Sequence, residues 1–304
     1  MLVQWGLVDA SVLWRVRRAI YGWRGAGHAW GGERDRQLHA LRFSASSCHY
    51  RLIQSTADTA VWFICEDKPV EFLHSYTSLG FVVVFVDDFL IATDDSLLDP
   101  LVNSVLLIWK GTRSRVMSPG VKDELLYCGL SITTDVDRGY SINQCRYTEE
   151  LLEKWNMSEC RTSRIVCPSE LLPKASEEFE APTPSVSSSE FLQQVRTAQQ
   201  LVGGINWLST KTRPDVSCAI SLLSRHMTKR PAAVLHAGKR VLRYIAATRD
   251  MELSLEVSCE SNLMYYGDAS FEPLASQTGV VIVLDGHPIS WRSCLLYTSP
   301  SPRD

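Results

Sequence analysis

Short apolar runs rich in β-branched and aromatic residues dominate the early part of the chain. VWFIC, GFVVVFV and FLIAT follow one another between residues 61 and 93, and turn-forming or charged residues separate them. This composition favours strands over helices. Residues 29–41 and 97–109 instead have the longer pattern that predicts helices. The first half of the chain is therefore expected to combine a sheet with helices.

A second set of elements follows. LYCGLSITTDVDRGYSINQ indicates two strands around a turn at residues 137–139, and a helix with Thr148 as its cap should come next. Residues 168–190 are rich in Pro, Ser and Glu, which is typical of a linker. Apolar stripes then predict helices over 191–247, one of them opened by Pro231.

Strands return after residue 250. LMYYGDAS, GVVIVL and HPISW are short apolar runs, and Asp285-Gly286 between the last two is a strong hairpin signal. The whole pattern predicts a mixed fold of the α+β class.

Composition narrows the class of protein. The chain has 304 residues, 45% of them hydrophobic and 21% charged, as in globular proteins with real cores. The net charge of -3 is unusual for a nucleic-acid-binding protein, although basic residues cluster locally. Nine scattered cysteines without a C-x-x-C pair indicate free thiols in a reducing compartment. Neither a signal peptide nor a membrane span is expected.

Asp87 and Asp88 are the sharpest candidates for chemistry. They lie between the apolar runs GFVVVFV and FLIAT, where a hairpin turn would lift both carboxylates clear of the sheet. Adjacent carboxylates repel each other, and Mg²⁺ is a natural counter-charge because it prefers carboxylate oxygens. The alternative is an ordinary polar turn, which is common between strands.

Several blocks, in order, resemble the Pol polyproteins of copia-type retrotransposons. FVDD resembles the Y-V-D-D box of reverse transcriptases, and LWRVRRAIYGWRGAGHAW resembles an upstream block of the same family. LYCGLSI, YSINQCRYTEELLEKWNM and LVGGINWLSTKTRPDVSCAISLLSRHM match later blocks, and YYGDAS with TGVVIVLDGHPISW resembles the first strands of a ribonuclease H. The resemblance covers about residues 13–292, and the ordered set is far more specific than any single block.

The resemblance implies a fold and a domain order. A reverse-transcriptase palm sheet, a helical thumb and connection region and a truncated ribonuclease H-like sheet are expected. Residues 1–165 would be a partial reverse transcriptase, residues 166–190 a linker and residues 191–256 the helical region. Residues 257–292 would be the ribonuclease H-like strands, and residues 293–304 are a tail that matches nothing in the family. Cytoplasmic virus-like particles, with later entry into the nucleus, are the implied location.

The resemblance also implies roles for particular residues. Asp87, Asp88 and Asp268 would be catalytic carboxylates that hold Mg²⁺. The partners would be an RNA or DNA template–primer duplex and a deoxynucleoside triphosphate. The residues expected to contact nucleic acid form two basic stretches, Arg15, Arg17, Arg18, Tyr21, Gly22 and Arg24 in the first and Lys211, Arg213, Arg240 and Arg243 in the second. Each stretch could instead be a solvated surface, and Asp268 an ordinary polar residue of a strand.

Departures from the family pattern bear on activity. Gly25 stands where the family usually has Gln, and Phe85 replaces Tyr. The family's third polymerase carboxylate belongs to a block before the present residue 1, so this chain is expected not to polymerise DNA by itself. Three hypotheses remain open: an incomplete polymerase, a non-enzymatic nucleic-acid-binding remnant, and a degenerate product that does not fold stably.

Overall fold

The structure, a computed structural model, describes residues 20, 22–68, 77–118, 120–135, 139–167, 189–255, 262–270 and 276–296. The chain divides into two compact units, Met1–Ser114 and Arg115–Asp304, which we call unit 1 and unit 2. The mixed α and β class predicted from the sequence is confirmed.

Unit 1 is a five-stranded antiparallel sheet with two helices in its described part. The strands are β1 (Arg42–Ala45), β2 (Cys48–Gln54), β3 (Val61–Glu66), β4 (Gly80–Phe85) and β5 (Asp88–Thr93), and the helices are α1 (Ala26–Ala40) and α2 (Asp95–Ile108). Each strand pairs with the next one along the chain. The predicted strands over 61–93 and the predicted helices over 29–41 and 97–109 are confirmed.

The core of unit 1 lies on one face of this sheet. Trp62 and Ile64 of β3 point into the core and are fully buried, whereas Phe63 between them is 38% exposed. Leu38 of α1 and Leu101 of α2 belong to the same buried cluster, so both helices cover the same face. Each large apolar side chain buried in this way contributes about 1.5–3 kcal/mol to stability.

Unit 2 contains, in its described part, two antiparallel sheets and a group of helices. Its strands are β6 (Asp123–Tyr127), β7 (Leu130–Asp135), β8 (Gly139–Asn143), β9 (Leu253–Leu255), β10 (Leu263–Ala269), β11 (Gln277–Leu284) and β12 (His287–Leu295). Its helices are α3 (Cys145–Lys154), α4 (Ser189–Lys211), α5 (Ser217–His226) and α6 (Pro231–Ala247). One sheet has the order β6-β7-β8-β9 and the other β10-β11-β12.

The helices of unit 2 share one apolar core. Leu201 and Ile205 of α4, Leu223 of α5 and Ile245 of α6 are completely buried within it. Helix α6 approaches α4 closely at Gly238, where an added Cβ would lie 2.6 Å from a methyl carbon of Leu201. A larger residue would therefore push these two helices apart.

The turns of unit 2 partly follow the sequence predictions. The predicted Asp285-Gly286 hairpin is confirmed, with φ of +51° and +86°, because Asp-Gly suits a turn with two left-handed residues. Cys128-Gly129 forms a second such turn, between β6 and β7, which we did not predict. The predicted cap Thr148 is wrong, because α3 begins three residues earlier at Cys145.

Two of the predicted segments lie partly outside the described residues. Residues 137 and 138 of the predicted turn at 137–139 and residues 168–188 of the predicted linker lie outside the described residues. Among the helices that the structure describes, none has the length and apolar character needed to cross a bilayer.

Candidate metal centre and nucleic-acid surface

Asp87 and Asp88 lie in the predicted hairpin, at one end of the sheet of unit 1. Phe85 pairs with Asp88, so Val86 and Asp87 form a two-residue turn between β4 and β5. Both aspartate side chains are exposed. Within the described residues, neither carboxylate has a hydrogen-bond or salt-bridge partner. The pair therefore presents its oxygen atoms to solvent rather than to the protein.

The backbone of this turn is unusual. Val86 has φ of +56°, a left-handed conformation that β-branched residues rarely adopt. Its carbonyl oxygen accepts a hydrogen bond of 2.8 Å from the indole Nε1 of Trp30 and one of 3.3 Å from Nη1 of Arg34. Both donors belong to α1, so this helix holds the turn from one side.

Aromatic rings pack beneath the same turn. The ring of Trp30 meets that of Trp109 edge-on, with 6.0 Å between their centroids, and Phe89 lies 5.8 Å from Trp109. The side chain of Arg34 is 13% exposed, and its guanidinium forms a salt bridge of 2.7 Å with Asp35. The support that Trp30 and Arg34 give to this turn was not predicted from the sequence. Their spacing of four residues, which places them on one face of a helix, was the available signal.

The carboxylate pair is suited to a hard cation but does not complete a site. Two adjacent carboxylates supply oxygen ligands and an excess of negative charge, both of which favour Mg²⁺. Within the described residues, however, no group of three or more His, Cys, Asp or Glu side chains could hold a metal ion. Asp87 and Asp88 therefore fit as part of a magnesium site that needs further ligands.

Only Gly22 and Arg24 of the first basic stretch lie within the described residues. Arg15, Arg17, Arg18 and Tyr21 lie outside the described residues. Gly22 is exposed and has φ of +90°, and Arg24 is exposed just before α1. Both remain available to a ligand.

In the fold of unit 2, the residues of the second basic stretch lie on or between different helices and differ in exposure. Arg243 is exposed on α6, and Arg240 on the same helix is half-buried. Lys211 is exposed at the end of α4, with its ammonium 5.1 Å from the ring centroid of Trp207. These three side chains give the helical part of unit 2 positive charge at its surface.

Arg213 has a different environment from the other basic residues. It is 3% exposed, and its guanidinium makes two hydrogen bonds of 2.7 and 3.0 Å to the carboxylate of Asp215. It also donates to the backbone carbonyl of Thr248, 3.0 Å away, at the end of α6. This placement revises our expectation that Arg213 contacts phosphate, because its donors are used inside the unit.

Tyr244 completes this internal network. Its hydroxyl donates a hydrogen bond of 2.8 Å to Asp215. Burial by itself would raise the pKa of Asp215, but its bonds to Arg213 and Tyr244 outweigh burial, so the pKa is lowered. Asp215 is therefore held as the charged partner of a buried arginine.

Asp268 lies on β10, opposite Gly279 of β11. Its side chain is exposed, and one carboxylate oxygen accepts a hydrogen bond of 2.8 Å from the backbone N–H of Ala269. A cleft of about 620 Å³ adjoins it, and Cys218 and Arg292 are among the residues that line this cleft. Among the described residues, Asp268 is not part of any group of three or more His, Cys, Asp or Glu side chains that could hold a metal ion.

A pair of thiols near this cleft was not singled out from the sequence. A hydrogen bond from Cys167 lowers the pKa of Cys218 to about 6, and Ser293 and the charge of Arg225 act in the same direction. The same bond, together with burial, raises the pKa of Cys167. The two cysteines are far apart in the sequence, so their spacing gave no signal.

Several of the known proteins that are similar to this chain are products of transposons. The chain is 28% identical over 283 residues to the "Retrovirus-related Pol polyprotein from transposon RE2" of Arabidopsis thaliana, and 28% identical over 285 residues to the corresponding RE1 polyprotein of that plant. Each alignment covers 92% of this chain but only 17% of the polyprotein. A "Putative transposon Ty5-1 protein" of Saccharomyces cerevisiae is 34% identical over 111 residues, which are 35% of this chain and 36% of that protein. No family model and no solved structure matches the chain.

Proposed function

We propose that this chain, a relative of the Pol polyproteins of copia-type retrotransposons, forms part of an RNA-directed DNA polymerase together with the first strands of a ribonuclease H. In this proposal unit 1 is part of a polymerase palm, and the helices of unit 2 belong to a thumb and connection region. Strands β10 to β12 are the start of the ribonuclease H, with Asp268 as its first metal-binding carboxylate.

The hairpin at Val86–Asp88 carries this proposal. It presents two adjacent carboxylates to solvent at the end of a sheet, and α1 holds its backbone. When bound, Mg²⁺ would hold phosphate oxygens and neutralise the charge that develops on them during phosphoryl transfer. Asp87 and Asp88 supply oxygen ligands for it, and the exposed position of the hairpin leaves room for a nucleotide.

A second part of the proposal concerns the duplex. Lys211, Arg240 and Arg243 contact the phosphates of a template–primer duplex, whose recognition is mostly electrostatic. Arg24 contacts phosphate in the same way. Arg213 stabilises the helices that carry these residues and does not touch nucleic acid.

The third part is that the 304-residue chain does not extend a primer by itself. Two-metal phosphoryl transfer needs carboxylates from at least two strands, so that both ions are fixed together. Asp87 and Asp88 belong to one hairpin, and the described residues bring no third carboxylate to them. Duplex binding does not depend on this pair and is therefore retained.

Metal binding is the first test. Mn²⁺ replaces Mg²⁺ as a paramagnetic probe and is titrated into the ¹⁵N-labelled chain. We expect broadening centred on the amides of Asp87 and Asp88, with weak affinity of about 1 mM or poorer. The control, the double variant Asp87→Asn/Asp88→Asn, should lose this broadening. Broadening that is centred elsewhere, or that survives in the variant, would contradict the proposed metal site.

Duplex binding and primer extension are the second test. An RNA–DNA hybrid should bind with an affinity that falls as salt rises, and the variant Lys211→Ala/Arg240→Ala/Arg243→Ala should lower that salt slope by about 2 to 3. Its control, Arg115→Ala/Arg146→Ala/Arg161→Ala, removes the same charge from other exposed positions of unit 2 and should retain the slope. Primer extension that Asp87→Asn abolishes would contradict the third part of the proposal.

A further inference from the structure

The hairpin at Asp87 is held in a conformation that its own sequence does not favour. Val86 occupies a left-handed region at φ of +56°, in the first position of the turn. A β-branched residue held there costs about 1–3 kcal/mol and persists only when its surroundings fix it. Something outside the hairpin must therefore stabilise this backbone.

Helix α1 provides that stabilisation through one atom. The carbonyl oxygen of Val86 accepts from Trp30 Nε1 at 2.8 Å and from Arg34 Nη1 at 3.3 Å. This oxygen belongs to the peptide group that joins Val86 to Asp87. Because a peptide group is planar, fixing its oxygen also fixes the direction in which the chain enters Asp87.

The two donors are themselves held in place. Trp109 packs against the ring of Trp30, and Asp35 forms a salt bridge with Arg34. A donor that is fixed by packing loses little entropy when it forms its hydrogen bond. The bonds to Val86 therefore belong to a rigid framework rather than to two loose side chains.

From this geometry we propose that Trp30 and Arg34 are positioning residues for the metal site. By holding the Val86–Asp87 peptide group, they orient the Asp87 and Asp88 carboxylates so that both can meet one cation. Neither residue touches the ion. This inference rests on the proposed function, because it assigns a role toward the metal that Asp87 and Asp88 are proposed to bind.

The test distinguishes the effect of the Trp30 and Arg34 hydrogen bonds on metal affinity from their effect on the stability of the fold. Trp30→Phe removes the indole N–H but retains an aromatic ring, and Arg34→Met removes the other donor but retains an aliphatic stem. The Mn²⁺ affinity of the 304-residue chain is measured from paramagnetic broadening of the Asp87 and Asp88 amides. We expect a loss of about 10-fold in Trp30→Phe, within the range found when support of metal ligands is removed, and no broadening centred on these amides in the double variant.

Trp62→Phe is the matched control. Trp62 lies in the core of the same unit and is completely buried, and its indole nitrogen has no hydrogen-bond partner within the described residues. This variant should lower the melting temperature while its Mn²⁺ affinity stays within about 2-fold of the parent. An equal loss of affinity in Trp62→Phe would overturn the inference, because stability rather than orientation would then set the affinity.

A second measurement does not depend on metal. The Trp30 indole N–H should exchange with solvent more slowly in the parent than in the Val86→Pro variant, whose altered turn moves the acceptor. Slow exchange with unchanged Mn²⁺ affinity in Trp30→Phe would overturn the positioning role and leave the proposed metal site standing. If the parent chain showed no Mn²⁺ effect at Asp87 and Asp88, both the metal site and the positioning role would fail.

Discussion

Asp215 in unit 2 and Asp87 in unit 1 are both aspartates beside a change of chain direction, within family-like blocks of the sequence. Asp215 meets the guanidinium of Arg213 and the hydroxyl of Tyr244, and its network ties the start of α5 to the end of α6. Asp87 is exposed and, among the described residues, has no such partner. The protein itself supplies the positive charge that neutralises Asp215, whereas a ligand would have to supply the positive charge that neutralises Asp87. Charged motifs of similar appearance can therefore differ in whether they serve stability or binding.

The largest expected effect is on the internal network. Arg213→Met leaves Asp215 and the Thr248 carbonyl without their buried partner, and should lower the free energy of unfolding by about 3 kcal/mol. Urea denaturation followed by circular dichroism measures it. Arg243→Met, at an exposed position of α6, is the control and should change stability by less than about 0.5 kcal/mol. An equal fall in the free energy of unfolding in Arg213→Met and Arg243→Met would contradict a structural role for the Arg213–Asp215 network.

The next largest effect is the pH dependence of the stability that the ionised Asp215 contributes. Because its pKa is lowered in the folded state, its stabilisation is complete above the ordinary aspartate pKa of about 4 and is lost as pH falls through the lowered value. Asp215→Asn should therefore lose about 1.5 kcal/mol of stability at pH 7 and less at pH 2–3. Urea unfolding of both proteins across this range measures the difference. A difference that grows toward low pH would contradict the assigned charge state.

Val86→Gly tests the strain next to Asp87. Glycine adopts a left-handed conformation without steric cost, but it adds entropy to the unfolded chain, so the two effects partly cancel. We expect a gain of about 0.5–1 kcal/mol in the free energy of unfolding, measured by urea denaturation. A clear loss would show that the Val86 side chain contributes packing that its 52% exposure does not suggest.

The smallest effect is expected at the carboxylate pair itself. Asp87→Asn/Asp88→Asn removes mutual repulsion from an exposed turn and should leave the free energy of unfolding unchanged or raise it by less than about 0.5 kcal/mol. Thermal unfolding of the variant beside the parent measures it. A large fall in melting temperature would show that this pair, like Asp215, is structural.

Local signals in the sequence predicted the elements well. The apolar runs of β3, β4 and β5 have the composition of strands, and Asp285-Gly286 forms its hairpin from the preferences of those two residues alone. The position of Asp87 and Asp88 at a turn also follows from local pattern, since they separate two such runs. These features need no knowledge of the rest of the chain.

Features that depend on distant contacts were not predictable in this way. Arg213 is basic and lies in a basic stretch, yet its guanidinium meets Thr248, 35 residues away in sequence. The carbonyl oxygen of the left-handed Val86 accepts a hydrogen bond from Trp30, 56 residues earlier. The start of α3 at Cys145 displaced the predicted cap because Thr148 is buried in the second turn of that helix. In each case packing chose the conformation, and no local preference indicated it.

The pairing of β8 with β9 has a consequence for how the chain folds as it is synthesised. The strands of unit 1 each pair with their neighbour in sequence, so its sheet can form as soon as residue 93 is free of the ribosome. One edge of β8 pairs with β7, but the other must wait for β9, where Ser254 pairs with Ser141. Closing so long a loop is slow, because the entropy of the intervening chain is lost before any contact forms. During translation this edge of β8 therefore stays open while α4, α5 and α6 emerge, and in that interval it is exposed to pairing with another nascent chain.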